Sequence, residues 1–335
     1  MHFSTANGTP EMEEIARIYS RFSTVEAKGR SPLYEELTRS IAEDERVLGL
    51  IGELPPPKRQ PNLLLAGYRS LCGTPSDWNG FRSRLIEDWP QLSRRILHRS
   101  TQTNEPARCA TLLGILAQLP GPLALIEVGA AAGLCLLPDE YAYDFNGHRL
   151  VPEHGSDNIP VFRCSLTGPA PIPDRLPEVA WRAGLDLEPV DLEDHDRTLW
   201  LELLICPGQA ERLSNFRAAA AIARKARPRV VKGNLLSDLE RLCSEAPGDC
   251  TKVIFHSAVL AYVGSQSERE HFATSAMELG DFWISNESPS VFPKISSKAQ
   301  GDTRGRFLLS LNGQPLAWTD PHGTQAEWLA PAGTL

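Results

Sequence analysis

Leu123-Ala-Leu-Ile-Glu127-Val-Gly129-Ala-Ala131-Ala-Gly133-Leu-Cys-Leu-Leu137 is the stretch whose reading decides the fold. Leu123 to Ile126 is an unbroken apolar run, which suits a strand buried on both faces. Glu127 closes that run, and the residues after it carry little or no side chain. Such a segment lets the backbone turn sharply and lets another molecule approach the main chain closely. Leu134 to Leu137 then reads as the start of a helix. Strand, tight turn and helix together predict a parallel α/β unit, with the free N–H groups of the helix start facing a polar ligand. Any tight strand-to-helix turn favours small residues, so a purely structural reading stands beside the ligand-binding one.

Downstream of this unit the alternation continues. Apolar runs recur at Val179 to Leu187, Arg229 to Lys232, Lys252 to His256 and Phe282 to Asn286, with helical segments between most of them. The clearest helix is Gln209 to Arg227, where Leu213, Phe216 and Ala220 mark one face and Pro228 ends it. Strands alternating with helices predict an α/β fold with a mostly parallel sheet and helices on both faces. Phe307 to Leu311 and Pro315 to Thr319 flank Asn312-Gly313, which suits a type I′ turn and predicts a terminal antiparallel hairpin. Residues 138–178 break the alternation, being proline-rich and without helical period. Within them Tyr141, Tyr143 and Phe145 alternate up to Asn146-Gly147, and Arg149 to Val151 returns, so part of this insertion is a hairpin. The insertion lies where it could cover a ligand.

Upstream the chain reads as helix after helix. Met12, Ile15, Tyr19 and Phe22 share one helical face, and Leu33, Leu37, Ile41, Leu48 and Ile51 repeat the pattern behind a Ser31-Pro32 cap. Pro55-Pro56-Pro57 forces an extended break, and further helices start near Pro61, Asp77, Trp89-Pro90 and Asn104. The expected organisation is a helical N-terminal region over 1–119 and an α/β domain over 120–335.

Composition excludes several classes. The 335 residues carry a formal net charge of -8, which argues against general nucleic-acid binding. The arginines at 82, 84, 94, 95, 99 and 108 read as a solvated helix face. The seven cysteines have no Cys-x-x-Cys pair, and Glu11, Glu13 and Glu14 stand where a signal peptide would be basic then apolar. Both features predict a cytoplasmic protein with reduced thiols. Pro120, Gly121, Pro122 and Glu127 interrupt the longest apolar region, so no run of ~20 apolar residues predicts a membrane span.

The glycine spacing selects among ligands. A dinucleotide site wants G-x-G-x-x-G and an acidic residue ~20 positions on. Here Gly129 and Gly133 are four apart with Ala131 between, giving E-x-G-x-A-x-G. That pattern is close to the E-x-G-x-G-x-G of class I methyltransferases, which bind S-adenosylmethionine. Glu127 could hold a hydroxyl or the amino-acid part of such a cofactor. Asp186, ending the second strand, could take both ribose hydroxyls. Asn234 after the third strand and His256 in the fourth should border the same crevice, because ligands of open α/β sheets bind outside the carboxyl ends of the strands. The alternatives are that Asp186 is a turn residue, Asn234 a helix cap and His256 a buried structural group.

Taken together, the chain resembles the class I methyltransferases and, more specifically, the uncharacterised bacterial domain-of-unknown-function family 2332. The resemblance is carried by Gln102-Thr-Asn-Glu105, Glu127 to Leu136, Trp181 to Asp191, Trp200-Leu201, Pro207-Gly-Gln209, Arg212 and Phe255-His-Ser257. It spans essentially the whole chain and implies a Rossmann-like methyltransferase sheet with S-adenosylmethionine as cofactor. It does not imply a substrate.

Methyl transfer is a direct displacement, so the main task is aligning donor and acceptor, and a general base is needed chiefly for a hydroxyl acceptor. Candidates for base are His256 and Glu105; Gln102, Asn104, Arg108 and Tyr262 are candidates to bind a small-molecule substrate. Asn104 could equally cap the helix beginning at Pro106. No G-x-S-x-G elbow, P-loop or zinc-ligand spacing occurs, and Asp320-Pro-His322-Gly323 reads as a turn. The reading is thus an S-adenosylmethionine-dependent methyltransferase acting on a small molecule. The alternative is a non-catalytic binding protein that keeps the same fold.

Overall fold

The computed structural model describes residues 9–102, 104–153, 158–301, 303 and 305–329. Residues 1–8 of the expected helical region, Thr103 of the Gln102–Glu105 run, residues 154–157 of the insertion and the last six residues lie outside these. Contacts divide the chain into two units: residues 9–102 with 195–213, and residues 104–194 with 214–329.

The first unit is helical. It holds α1 (Pro10–Arg21), α2 (Pro32–Glu43), α3 (Glu45–Gly52), α4 (Pro61–Cys72), α5 (Trp78–Glu87) and α6 (Trp89–Leu97). The side chains of Ser31, Asp44 and Asp77 accept first-turn N–H groups of Tyr34, Val47 and Gly80, which explains where α2, α3 and α5 begin. Asp44 thereby splits the Leu33-to-Ile51 pattern into two helices. Ile15, Tyr19, Phe22, Leu37, Ile41, Leu48 and Ile51 are all buried in one core, as their spacing predicts. Residues from far down the chain complete this unit. Arg69 Nη1 donates to Leu203 O and Ile205 O at 2.8 and 2.7 Å, and Trp200 Nε1 donates to Ser100 O at 2.9 Å.

The second unit opens with α7 (Cys109–Leu116), every residue of which is buried. The chain then runs through β1 (Leu123–Val128), β2 (Ala142–Phe145), β3 (His148–Leu150), β4 (Val161–Arg163), β5 (Ser165–Thr167) and β6 (Val179–Asp186). There follow α8 (His195–Leu203), which belongs to the first unit, α9 (Ala210–Ala226), β7 (Arg229–Lys232), α10 (Leu239–Cys243), β8 (Thr251–Ser257), α11 (Gln266–Leu279) and β9 (Phe282–Glu287). The last elements are α12 (Pro293–Ser296), β10 (Phe307–Leu311), β11 (Gln314–Thr319) and β12 (Gln325–Trp328).

Among the described residues, nine strands form one mostly parallel sheet in the order β5-β12-β11-β10-β9-β8-β1-β6-β7. From β7 to β9 the strands are parallel, and in chain order they stand third, second, first, fourth, fifth. The direction of progress reverses between β1 and β8, the place in an open α/β sheet beyond whose carboxyl ends ligands bind. Beyond β9 the sheet turns antiparallel through the expected β10–β11 hairpin, whose Asn312 and Gly313 both have positive φ (47° and 74°). Helices cover both faces. Asn286 of β9 reaches Thr111 of α7 on one face, and His256 of β8 packs on Phe272 of α11 on the other.

Three features depart from the sequence reading. Residues 104–119 group with the sheet rather than with the helices, because α7 is apolar all round and must be enclosed. No helix follows β1: Leu134–Leu136 is a single 3₁₀ turn after the left-handed Gly133. The insertion takes up the chain there, with Tyr141 Oη donating to Leu134 O at 2.8 Å and Arg182 Nη1 to Leu136 O at 2.9 Å. The insertion also does more than form its hairpin. It builds a second sheet, β3-β2-β4, and sends β5 to pair with β12 at the edge of the main one.

Candidate functional site at the end of the central strand

The turn that leaves β1 is shaped by three left-handed residues, Gly129 (φ 74°), Ala131 (φ 46°) and Gly133 (φ 71°). Gly129 N and Ala130 N donate to Leu185 O at 2.8 and 3.3 Å, so the turn is anchored to the neighbouring strand. Ala131 N donates to Asp186 Oδ2 at 2.8 Å, and Ala132 N to Asn104 Oδ1 at 3.2 Å. Asp186 Oδ1 accepts from Glu188 N at 2.8 Å. Asp186 therefore does structural work in this turn, yet it is only half-buried, and each carboxylate oxygen holds one N–H with a lone pair to spare.

Beneath the turn lies a buried polar cluster. Glu127 is 6% exposed, and its Oε2 has no hydrogen-bond partner. Burial pushes its carboxyl well above the usual range, Cys135 and Asp186 add in the same direction, and the Arg108 guanidinium opposes them. Arg108 is buried too: Nε donates to Pro321 O at 2.8 Å, Nη1 to Ser257 O at 3.3 Å, and the guanidinium lies over the Phe307 ring at 5.8 Å. Glu105 caps the short turn Pro106–Arg108 by accepting from Ala107 N, and its Oε2 lies 3.6 Å from His322 Nδ1. Asn104, Glu105, Arg108, Glu127, Gly129, Ala131, Gly133 and Asp186 thus meet at one end of the sheet.

His322 joins them without having been anticipated. Asp320–Gly323 is the turn the sequence predicts, with Gly323 N donating to Asp320 O at 2.9 Å. A side chain on Gly323 would meet Ala107 O at 2.2 Å, so this glycine lets the turn press against Ala107 and deliver His322 to Glu105. The Gly after His322 was the legible signal for that close approach.

Other candidates lie elsewhere. Pairing puts Glu127 beside Phe255 and Val128 beside His256, so His256 points to the face opposite Glu127. The His256 ring is fully buried among Phe272, Trp283 and Phe292, and its Nδ1 donates to Glu287 Oε1 at 2.8 Å. His256 does not border the crevice, which corrects the expectation. Ser257, one residue on, shares the Glu127 face, and its Oγ is buried without a partner. Asn234 is exposed and accepts from Leu236 N at 2.8 Å in the turn after β7; the cap position of α10, its expected alternative role, is held by Asp238. Tyr262 is 64% exposed in the 3₁₀ turn after β8. Gln102 is half-buried and belongs to the first unit.

One side chain narrows the crevice. A Cβ built on Gly129 would meet Val259 Cγ2 at 2.4 Å, so Val259 lies directly on the Gly129 backbone. Glu287 holds it there, because Glu287 Oε1 also accepts from Val259 N and Leu260 N at 2.9 and 3.1 Å. Among the described residues, no group of three His, Cys, Asp or Glu side chains is disposed to hold a metal ion, and no helix is long and apolar enough to cross a membrane.

The profile of a family described as an uncharacterized protein conserved in bacteria, domain-of-unknown-function family 2332, matches residues 16–328. The chain belongs to that family. No curated protein and no solved structure matches it.

Proposed function

We propose that this chain binds S-adenosylmethionine where β1 ends and transfers its methyl group to a small-molecule acceptor, on a sheet of the Rossmann-like methyltransferase kind. Glu127 carries the reading. A buried carboxyl oxygen without a partner costs free energy, and this one lies beneath a glycine-rich turn at the point where strand order reverses. An ammonium group, such as that of the cofactor's methionine end, would satisfy it. Asp186 supports the reading from the end of the adjacent strand, with lone pairs left for ribose hydroxyls.

The residues fit this cofactor under one condition: Val259 must move off Gly129, because a ligand cannot share that space. When bound, the cofactor would supply an activated methyl group on its sulfonium sulfur. The protein's part is alignment of the acceptor. For a hydroxyl acceptor, the base we assign is His322, whose Nδ1 lies 3.6 Å from Glu105 Oε2, rather than His256.

Calorimetry with S-adenosylmethionine and S-adenosylhomocysteine, with NAD as control, tests the proposal. Micromolar binding of the first two, weakened at least tenfold in Glu127→Gln, is the expected result. Folded, ligand-free protein that binds neither would overturn it. Binding with no turnover across varied acceptors would select the alternative, a binding protein without transfer chemistry.

A further inference from the structure

Glu127 is buried among ionisable groups that come from four separate elements. Among the described residues, Arg108 of the Pro106–Arg108 turn, Cys135 of the Leu134–Leu136 turn, Asp186 at the end of β6 and Tyr141 of the insertion face it. Glu105, which acts on Cys135, and His322, 3.6 Å from Glu105 Oε2, complete the cluster. Arg108 is the cation among the four, yet its Nε and Nη1 donate to Pro321 O and Ser257 O. Glu127 Oε2 is left buried with no donor of any kind. Ser257, on the same face of the sheet, also keeps a buried Oγ without a partner.

An ionised carboxylate that is buried without a bonded cation is so costly that the group takes up a proton instead. A neutral carboxyl attracts an ammonium only weakly, whereas a carboxylate facing an ammonium forms a charge-assisted hydrogen bond. We infer that a ligand's ammonium group displaces a proton from Glu127, so that the site takes its ligand with release of one proton. The carboxyl O–H bond breaks, its proton goes to solvent, and an N–H of the ammonium donates to the oxygen it leaves. The charge of the pair is the same before and after. Affinity for an amino-bearing ligand therefore rises with pH, by about tenfold per unit, until Glu127 is ionised in the empty site, and is flat beyond. A ligand without the amino group has no such gain, so Glu127 makes selectivity between the two depend on pH. This inference rests on the reading that an adenosyl ligand with an amino-acid end binds where β1 ends.

Calorimetry of the full chain with S-adenosylhomocysteine and with 5′-methylthioadenosine, which lacks the amino-acid end, tests it. Each titration is run in two buffers of different ionisation enthalpy, over a pH series in which the chain stays folded. S-adenosylhomocysteine should release close to one proton at the acid end of the series and progressively less as pH rises. Methylthioadenosine should release none, and S-adenosylhomocysteine should release none from Glu127→Gln. Binding of both ligands to the parent with equal proton release would overturn the inference and leave the cofactor reading standing. Release from Glu127→Gln equal to that from the parent would do the same. Failure of both ligands to bind at any pH would overturn the cofactor reading and the inference with it.

Discussion

Asp186 Oδ2 accepts a hydrogen bond from Ala131 N at 2.8 Å, so the strand beside β1 holds the very turn that β1 enters. Ala131 sits there at φ 46°, a conformation that costs a residue with a side chain about 1–2 kcal/mol. Ala131→Gly removes that cost and adds about 0.5–1 kcal/mol of backbone entropy loss. A net gain of roughly 0.5–1 kcal/mol is expected, read as a higher urea midpoint. Asp186→Ala should lose about 1–3 kcal/mol, because it orphans a partly buried N–H. A lower midpoint for Ala131→Gly would contradict this account of the turn.

Glu127 makes stability depend on pH in a defined direction. Its folded carboxyl titrates well above the unfolded value of about 4.3, so the native state binds its proton more tightly. The associated stability is complete below that unfolded value and is lost as pH rises toward the folded one. Glu127→Gln removes the slope. The variant should gain on the parent as pH rises from that unfolded value toward the folded one. Denaturant melts across that range check it, and a gap that closes with rising pH would refute the assignment.

Val259 and Gly129 should behave as a coupled pair. Gly129→Ala forces a side chain into Val259 at positive φ and should cost about 3 kcal/mol or more. Part of that loss should return in the Gly129→Ala, Val259→Gly double variant, which a double-mutant cycle measures. Val259→Ala alone should cost about 1–2 kcal/mol of stability and raise S-adenosylmethionine affinity severalfold. Unchanged affinity would mean that Val259 is not what narrows the crevice.

Glu287 ties three donors together, from His256, Val259 and Leu260. Glu287→Ala leaves them buried without an acceptor and should cost about 3 kcal/mol or more, whereas His256→Phe, surrounded by aromatic rings, should cost less. Thermal melts of the two variants give the ranking; the reverse order would place the weight of the pair on the imidazole.

Local pattern alone determined a good deal of this protein. The helical faces around Tyr19 and Ile41, the apolar runs of β1, β6, β7, β8 and β9, and the two Asn-Gly hairpins all follow from side-chain period and turn chemistry, which act between near neighbours in the chain. The small-residue turn after Glu127 and the carboxylate at Asp186 were legible for the same reason. Register and long-range approach were not. Whether His256 or Ser257 shares a face with Glu127 depends on how β8 aligns with β1, and a shift of one residue exchanges them. His322 reaches Glu105 across more than two hundred residues of chain, through a glycine whose bare Cα lets two backbones touch. The helix expected after Gly133 gives way to one 3₁₀ turn because the insertion and Arg182 take the carbonyls it would have used. In each of these the deciding contact lies between residues distant in sequence, and only packing of the folded chain brings them together.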